Sequence, residues 1–399
     1  MTLAPAQLPS DLAEAYIACA DRNILAALNP NVFFGYFSVC ANQKGHGSDT
    51  TYPGLDWGQS AEALLWLGRK AEVLASWDYV RSFLREDGLI PFAINPGRAG
   101  QTIYLELPQS QEKFPLVIAP NGGIYKHWFP GNPLFALPNT TVLQMADVIS
   151  RHTGDRDWLA AQRPMLRSVT DWLMKQVNAE GLIPGGGYYL ERPSRLDYDG
   201  VAQCYVAHAL RIAGDLLEDP TCLAVADLMT ACFRRRFWAG DHCVEYIHPE
   251  RGAISHHGLT DVDWAAIATG MASPEQVAVL WPQLRDSRDF LYNGIPTGVA
   301  TRPETYEDWE MQFLDRHDLA AMGRVWYLEA WARGKMGDCE GVIESLRQVA
   351  RVGRANNWSW HERYYSEKTG KLSSYHIDTY CEYPANFIRI VHRFVLGAL

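Results

Sequence analysis

Stretches of helical periodicity in this chain are joined by links that alternate between short and long, and no other feature limits its fold so tightly. Apolar residues recur every three or four positions at Val73, Trp77, Val80 and Leu84, at Leu159, Leu166, Val169, Leu173 and Val177, and at Phe387, Ile390, Val391, Phe394 and Val395. The same reading along the chain predicts about twelve helices, over 10–28, 58–68, 70–85, 139–153, 155–178, 200–217, 219–237, 263–271, 273–291, 318–334, 338–355 and 385–397. Ser10 and Ser273 are expected N-caps, the latter with Pro274 at the first helical position, and Gly334 and Gly337 mark a helix end. Pro164 predicts a kink or a late start for the fifth helix.

The short links are Gly68-Arg69-Lys70, Thr153-Gly154-Asp155, Glu218-Asp219-Pro220, Met271-Ala272-Ser273 and Lys335-Met336-Gly337; the long ones are 29–57, 86–138, 179–199, 238–262, 292–317 and 356–384. Helices joined by a short turn are antiparallel and meet at one end, so every long link falls at the other. The expected fold is all-α, an (α/α)6 toroid with long loops and short hairpins on one face. One domain over 1–399 is expected, because no composition break, low-complexity tract or Gly/Ser linker interrupts the chain. An internal echo supports a repeating unit: Asp87-Gly88-Leu89-Ile90-Pro91 and Glu180-Gly181-Leu182-Ile183-Pro184 each follow a helix and open a long link. Leu116-Val117-Ile118 and Val244-Glu245-Tyr246-Ile247 read as short strands inside such links.

Long links without helices are uncommon in compact proteins unless they build a site. A hydrophobic content of 47% with 21% charged residues supplies a large core. The net charge of -10 excludes a phosphate-tracking nucleic-acid binder. The 14 Trp, 19 Tyr and 14 Phe, many of them in the long links, offer stacking platforms as well as core. Eight cysteines with no CxxC pair read as reduced thiols, and neither a leader-like segment nor a spanning apolar run is present, so a cytoplasmic location away from the membrane is expected.

Four segments carry chemistry-bearing residues: Gly54-Leu55-Asp56-Trp57-Gly58-Gln59, Arg195-Leu196-Asp197-Tyr198-Asp199-Gly200, Trp358-Ser359-Trp360-His361-Glu362-Arg363-Tyr364 and Cys381-Glu382-Tyr383-Pro384-Ala385. With the helical alternation, these segments resemble the six-hairpin glycosidases, among them glucoamylases, processing α-glucosidases, glucosylglycerate hydrolases, trehalases and the catalytic domain of α-L-rhamnosidases. The resemblance implies a glycoside hydrolase whose general acid lies in the link before the sixth helix and whose general base lies in the link before the twelfth. It also implies that Asp56 and Trp57 bind sugar hydroxyls. Cleavage with inversion needs a protonated carboxyl at the leaving oxygen and an ionised one activating water on the other ring face, about 6.5–9.5 Å away.

Asp197 is the favoured acid, because the flanking Leu196 and Tyr198 would desolvate it and raise its pKa. Glu191 and Asp199 are its rivals; either Asp197 or Asp199 also fits as a helix cap, and Glu191, between Tyr189 and Arg192, fits a hydroxyl-binding or ion-paired role. Glu362 is the favoured base, walled by Trp358, Trp360, Tyr364 and Tyr365 and followed in rank by Glu382, which the helix dipole alone would explain. His361, Trp309 and Glu310 complete the expected substrate-binding set. Arg192, Arg195 and Arg302 offer guanidinium groups for an anionic substituent.

His256-His257 with Asp261 and Asp263, and Asp241-His242-Cys243, lack the spacing of recognised metal sites, so neither a metal nor a cofactor is expected. Gly185-Gly186-Gly187 lacks the Lys of a phosphate loop. The reading is an inverting hydrolase of a small, α-linked glycoside, with a small carbohydrate as partner. Two alternatives stay open: an epimerase or isomerase on the same barrel with His257 and His361 as facing acid and base, and a sugar-binding toroid without chemistry.

Overall fold

Helices that must bury one stripe differ visibly from helices that must bury every side, and the chain alternates between the two kinds. A computed structural model describes residues 4–28, 40–43, 50–106, 112–126, 136–185, 198–298, 302–310, 319–365 and 378–397. After a single turn, α1 (Ala4–Gln7), come α2 (Ser10–Cys19), α3 (Gly58–Trp66), α4 (Lys70–Arg81), α5 (Leu137–Thr153), α6 (Arg156–Gln176) and α7 (Gly200–Leu217). The series continues with α8 (Pro220–Arg236), α9 (Asp261–Thr269), α10 (Pro274–Asp286), α11 (Gly323–Lys335), α12 (Cys339–Ala355) and α13 (Glu382–Ile390). In α6 only one face is covered, through Leu166, Val169 and Leu173, whereas every residue of α9 is buried.

The fully buried helices form the inner wall. α3 packs on α5, α5 on α7, α7 on α9, α9 on α11, α11 on α13, and α13 returns to α3, closing a ring of six. The even-numbered helices lie outside it, and one hydrophobic cluster joins both layers. This is the expected (α/α)6 toroid. No helix among the described residues is long and apolar enough to cross a membrane.

The chain reverses tightly wherever an inner helix hands over to an outer one. Each of the five short turns carries a left-handed residue, Gly68, Gly154, Glu218, Gly270 or Gly337. In four of them the next helix opens on a side-chain cap: Asp155 accepts from the Trp158 amide, Asp219 from that of Thr221, Ser273 from that of Gln276 and Asp338 from that of Gly341. All six inner helices therefore start at the opposite end, where the long links gather.

Those links hold small antiparallel pieces. β2 (Thr102–Glu106) pairs with β3 (Lys113–Val117) in the register Tyr104 to Pro115, and β6 (Tyr246–His248) pairs with both β5 (Tyr198–Asp199) and β7 (Gly252–Ile254). β1 (Ala93–Ile94) meets β4 (Gly123–Ile124).

Several helix ends differ from expectation. Ser10 is the first residue of α2, with Pro9 before it, and makes no cap bond. The ninth predicted segment, 273–291, stops at Asp286 because Leu291–Tyr292 form a strand, β8, against Ile295–Pro296, β9. Gly334 lies inside α11, where the Phe394 ring leaves no room for a side chain. α6 runs through Pro164 without a late start; Ala160, whose carbonyl loses its helical partner there, is exposed to water.

Candidate active site

The first turns of α3, α11 and α13 meet at the loop end of the ring, and each delivers an ionisable side chain to the same buried spot. Asp56 comes from the wide turn Pro53–Trp57 that leads into α3, Arg324 from the start of α11 and Glu382 from the first position of α13; Glu362 arrives from the link between α12 and α13. All four are at least 95% buried. Arg324 Nη1 donates to Glu382 Oε1 at 2.5 Å, and Gln59 Nε2 donates to the same oxygen at 3.2 Å. Asn386 holds Gln59 in turn, through a 2.6 Å bond to its amide oxygen. Glu382 is thus fixed by two side chains, one of them itself braced.

Glu362 is held less completely. Arg363 Nη2 reaches its Oε1 at 3.3 Å, and its Oε2 is buried without a partner among the described residues; Asp56 Oδ1 is in the same condition. Burial, then the negative charges of Glu382 and Glu362, push the Asp56 carboxyl well above the carboxylate range, against the pull of Arg324 and of the Tyr380 hydroxyl within bonding reach. Burial and Glu362 also raise Glu382, with Arg324 opposing. The nearby Cys40 thiol is pushed up to about 12 by burial and by Asp56 and Glu362. Three carboxyl groups face two guanidinium groups, those of Arg324 and Arg363, so one negative charge is left over in a dry place. With Asp56 and Glu382 raised, the cluster is suited to combine a proton donor with an acceptor oxygen at one end of the ring.

A second buried cluster lies in the links that lead into α9 and α11. His257 Nδ1 is 2.6 Å from Glu245 Oε2, and its Nε2 is 3.2 Å from Glu310. The Tyr306 hydroxyl donates to Glu245 at 2.5 Å while its ring stacks on His257 with centroids 3.6 Å apart, and Tyr246 donates to Glu310. Burial works to lower the His257 pKa, but the two glutamates overcome it and lift it to about 9. Glu310 is lowered by His257 against its own burial.

The structure brings Asp56, Glu362 and Glu382 together and distributes the other expected residues elsewhere. Trp57 is buried, donates to Ser76 Oγ at 3.2 Å and packs against Trp77, so it ties α3 to α4. Trp360 donates to the Val349 carbonyl and rests on Gly353 of α12, while the Trp358 carbonyl accepts from Asn23 and Arg354 covers its ring at 5.3 Å. Both tryptophans fill the seam between α12 and the chain after α2. Glu310 and the half-buried Trp309 belong to the second cluster's surroundings, Trp309 lying under Arg251 at 4.1 Å. His361 Nδ1 lies 2.6 Å from Asp378. His257 and His361 are each held by separate carboxylates. Asp199 caps α7 through the Ala202 amide, and Asp263 caps α9. Tyr189, Glu191, Arg192, Arg195 and Asp197 lie outside the described residues.

Sequence reasoning did not single out Arg324, Gln59, Tyr380 or Glu245. The signal for the first was positional: residues that open inner helices all face one mouth.

No known protein-family profile matches the chain, and no curated protein matches it in sequence. Solved structures do match it. A glycosidase variant in complex with glucose superimposes with a TM-score of 0.66 at 11% identity, over 99% of this chain and 98% of that one. The toroid is a fold shared with solved glycosidases. A GH78-family rhamnosidase from Bacillus sp. GL1 matches with a TM-score of 0.64 at 13% identity over 96% of this chain and 35% of its own. A Klebsiella oxytoca rhamnosidase with rhamnose bound gives 0.58 at 12% identity over 96% of this chain and 64% of its own. The likeness to these solved glycosidases is one of fold, over 96–99% of this chain.

Proposed function

We propose that the chain is an inverting glycoside hydrolase for a small, α-linked glycoside, with Glu362 as the general base. The observation that carries this reading is the buried Glu362 Oε2, an acceptor that no group among the described residues satisfies, at the loop end of a toroid whose structural neighbours are glycosidases. A carboxylate oxygen left unpaired in a dry site is costly unless water or a ligand hydroxyl meets it. Glu362 is favoured over Glu382 because Arg324 and Gln59 already occupy Glu382. The Asp56 carboxyl, raised by burial and by the neighbouring glutamates, is suited to donate to a sugar hydroxyl.

The acid comes from the link into α7, with Asp197 favoured and Glu191 its rival; Asp199 is committed to its cap. Ring order supports the pairing of links, since α7 and α13 stand across the ring from each other. Opposite walls suit two carboxyls that must leave space for one water between them.

Nitrophenyl α-glycosides and short α-linked disaccharides are the test, with the first-formed anomer followed by NMR. The expected product has inverted configuration, and Glu362→Gln lowers kcat by about 10³-fold or more while a bound sugar keeps its affinity. A retained anomer, or an unchanged rate in the variant, overturns the assignment.

A further inference from the structure

His256 and His257 occupy the middle of a tight turn closed by a 3.4 Å bond from the Gly258 amide to the Ser255 carbonyl. A turn can bring two successive side chains to one side, which a strand cannot. Here the two rings lie 4.2 Å apart, tilted by 57°, and both approach Glu310. We propose that His256, His257 and Glu310 form a binding site for one divalent transition-metal ion of the zinc class, with Glu245 orienting His257.

The contacts of His257 are unequal in a way that a purely structural ion pair does not explain. Its Nδ1 side sits 2.6 Å from Glu245, as a charge-assisted bond should, while Nε2 stands 3.2 Å from both oxygens of Glu310. Charge-assisted N–H···O bonds cluster near 2.7–2.9 Å, so a contact equidistant from two oxygens at 3.2 Å is loose for a proton. It suits an ion better. Two ligand atoms each about 2.0–2.1 Å from a tetrahedral zinc lie roughly 3.3 Å apart. His256 Nε2 is 3.9 Å from Glu310, and a small rotation of its half-exposed side chain closes the difference.

The remaining parts fit the same role. Glu245 accepts from Nδ1, which fixes the tautomer that leaves Nε2 free to ligate, and Tyr306 anchors Glu245 in turn. Glu310 is steadied by Tyr246 and by the Glu307 amide at 2.8 Å. The donor set of two imidazoles and one carboxylate excludes calcium and magnesium, which demand oxygen ligands. All ligand atoms lie within 4.8 Å of one another, the one grouping of three such donors found among the described residues, and exposure of His256 leaves a solvent-facing position for water or a ligand hydroxyl. On binding, the ion replaces the Nε2 proton, which passes to solvent. The ligands come from the links into α9 and α11, whereas Glu362 lies in the link into α13.

Protein freed of metal by chelation should bind one zinc ion per chain in equilibrium dialysis, and cobalt in its place should give a visible absorption band. Zinc should also raise the Tm. His256→Ala, a change at a half-exposed position that the core tolerates, should abolish the stoichiometric binding and the Tm rise; Glu310→Gln should do the same, and Glu245→Gln should weaken affinity by roughly 10–100-fold. A folded wild type that takes up no stoichiometric zinc overturns the proposal, as does binding that persists in both His256→Ala and Glu310→Gln.

Discussion

The Asp56 carboxyl at the mouth of the ring is biased toward its protonated form for reasons its sequence neighbours do not reveal. Its carboxyl is raised by burial and by two glutamates far away in the chain, so ionising it costs folding free energy. A carboxyl with a raised folded pKa contributes its full stability below the unfolded value of 3.8 and loses it as pH rises toward the folded value. Asp56→Asn keeps an acceptor for Tyr380 and removes that loss. The variant should therefore gain on the order of 1 kcal/mol in urea unfolding at pH 8 and less at pH 5. A variant less stable than the parent at both values would sink this account. At this scale, Glu362 was singled out by its aromatic neighbours, whereas the loop-end placement of Asp56 and Glu382 was legible because they lie beside inner-helix starts. The roles of Trp57, Trp358 and Trp360 were not, since a sequence shows that an aromatic residue sits in a link but not which neighbour it covers. Gly353→Ala offers a check on that packing: the added Cβ would fall 2.1 Å from Trp360 Cζ2, so a loss of about 1–3 kcal/mol should outweigh the gain in helix propensity. A more stable variant in thermal melts would mean that Trp360 is free to move.

The two echoed pentapeptides turn out to be one structural device used twice. In each, a left-handed glycine, Gly88 or Gly181, lets the chain leave an outer helix by pressing against a carbonyl of the next outer helix, that of Ser168 or Leu228. The isoleucine two positions on, Ile90 or Ile183, then gives its amide to a side-chain amide near the start of the next inner helix, Asn139 at 3.0 Å or Gln203 at 2.9 Å. A long link is thus pinned at its root to both layers. Gly181→Ala forces an L-residue to φ +90° and places its Cβ 2.8 Å from the Leu228 carbonyl, so a loss of about 3 kcal/mol is expected by denaturant titration. A loss below 1 kcal/mol would show that the root of this link is soft. Outer helices were legible from their apolar stripes, and the short turns from Gly-Asp and similar pairs. Ends such as 318 against Gly323, or 291 against Asp286, were not, because an apolar run like Phe290-Leu291-Tyr292 reads alike in a strand and a buried helix.

Across the whole molecule, the ring is closed by its first and last inner helices, and the closure is ionic. Glu62 of α3 accepts from Arg389 of α13 at 2.7 Å and from Arg393 in the turn after it, with Asn386 bound to both Gln59 and Arg389. Links between chain ends cost the most loop entropy and form late, so this seam should govern how the toroid opens. Burial alone would raise the Glu62 carboxyl, but the two arginines overcome it and hold it down to about 2, against 4.5 when unfolded. A depressed carboxyl contributes fully above its unfolded value and loses that contribution as pH falls toward the folded one, so the seam should weaken between pH 4.5 and about 2 by roughly 3 kcal/mol. Glu62→Gln leaves two guanidinium groups in place without their charge partner, for an expected loss of about 3–5 kcal/mol at neutral pH. Because the variant has nothing to titrate at this position, its stability should fall less than the parent's over that acid window. Parallel acid-unfolding profiles for the two proteins would mean that packing, not this ion triad, holds the first and last hairpins together.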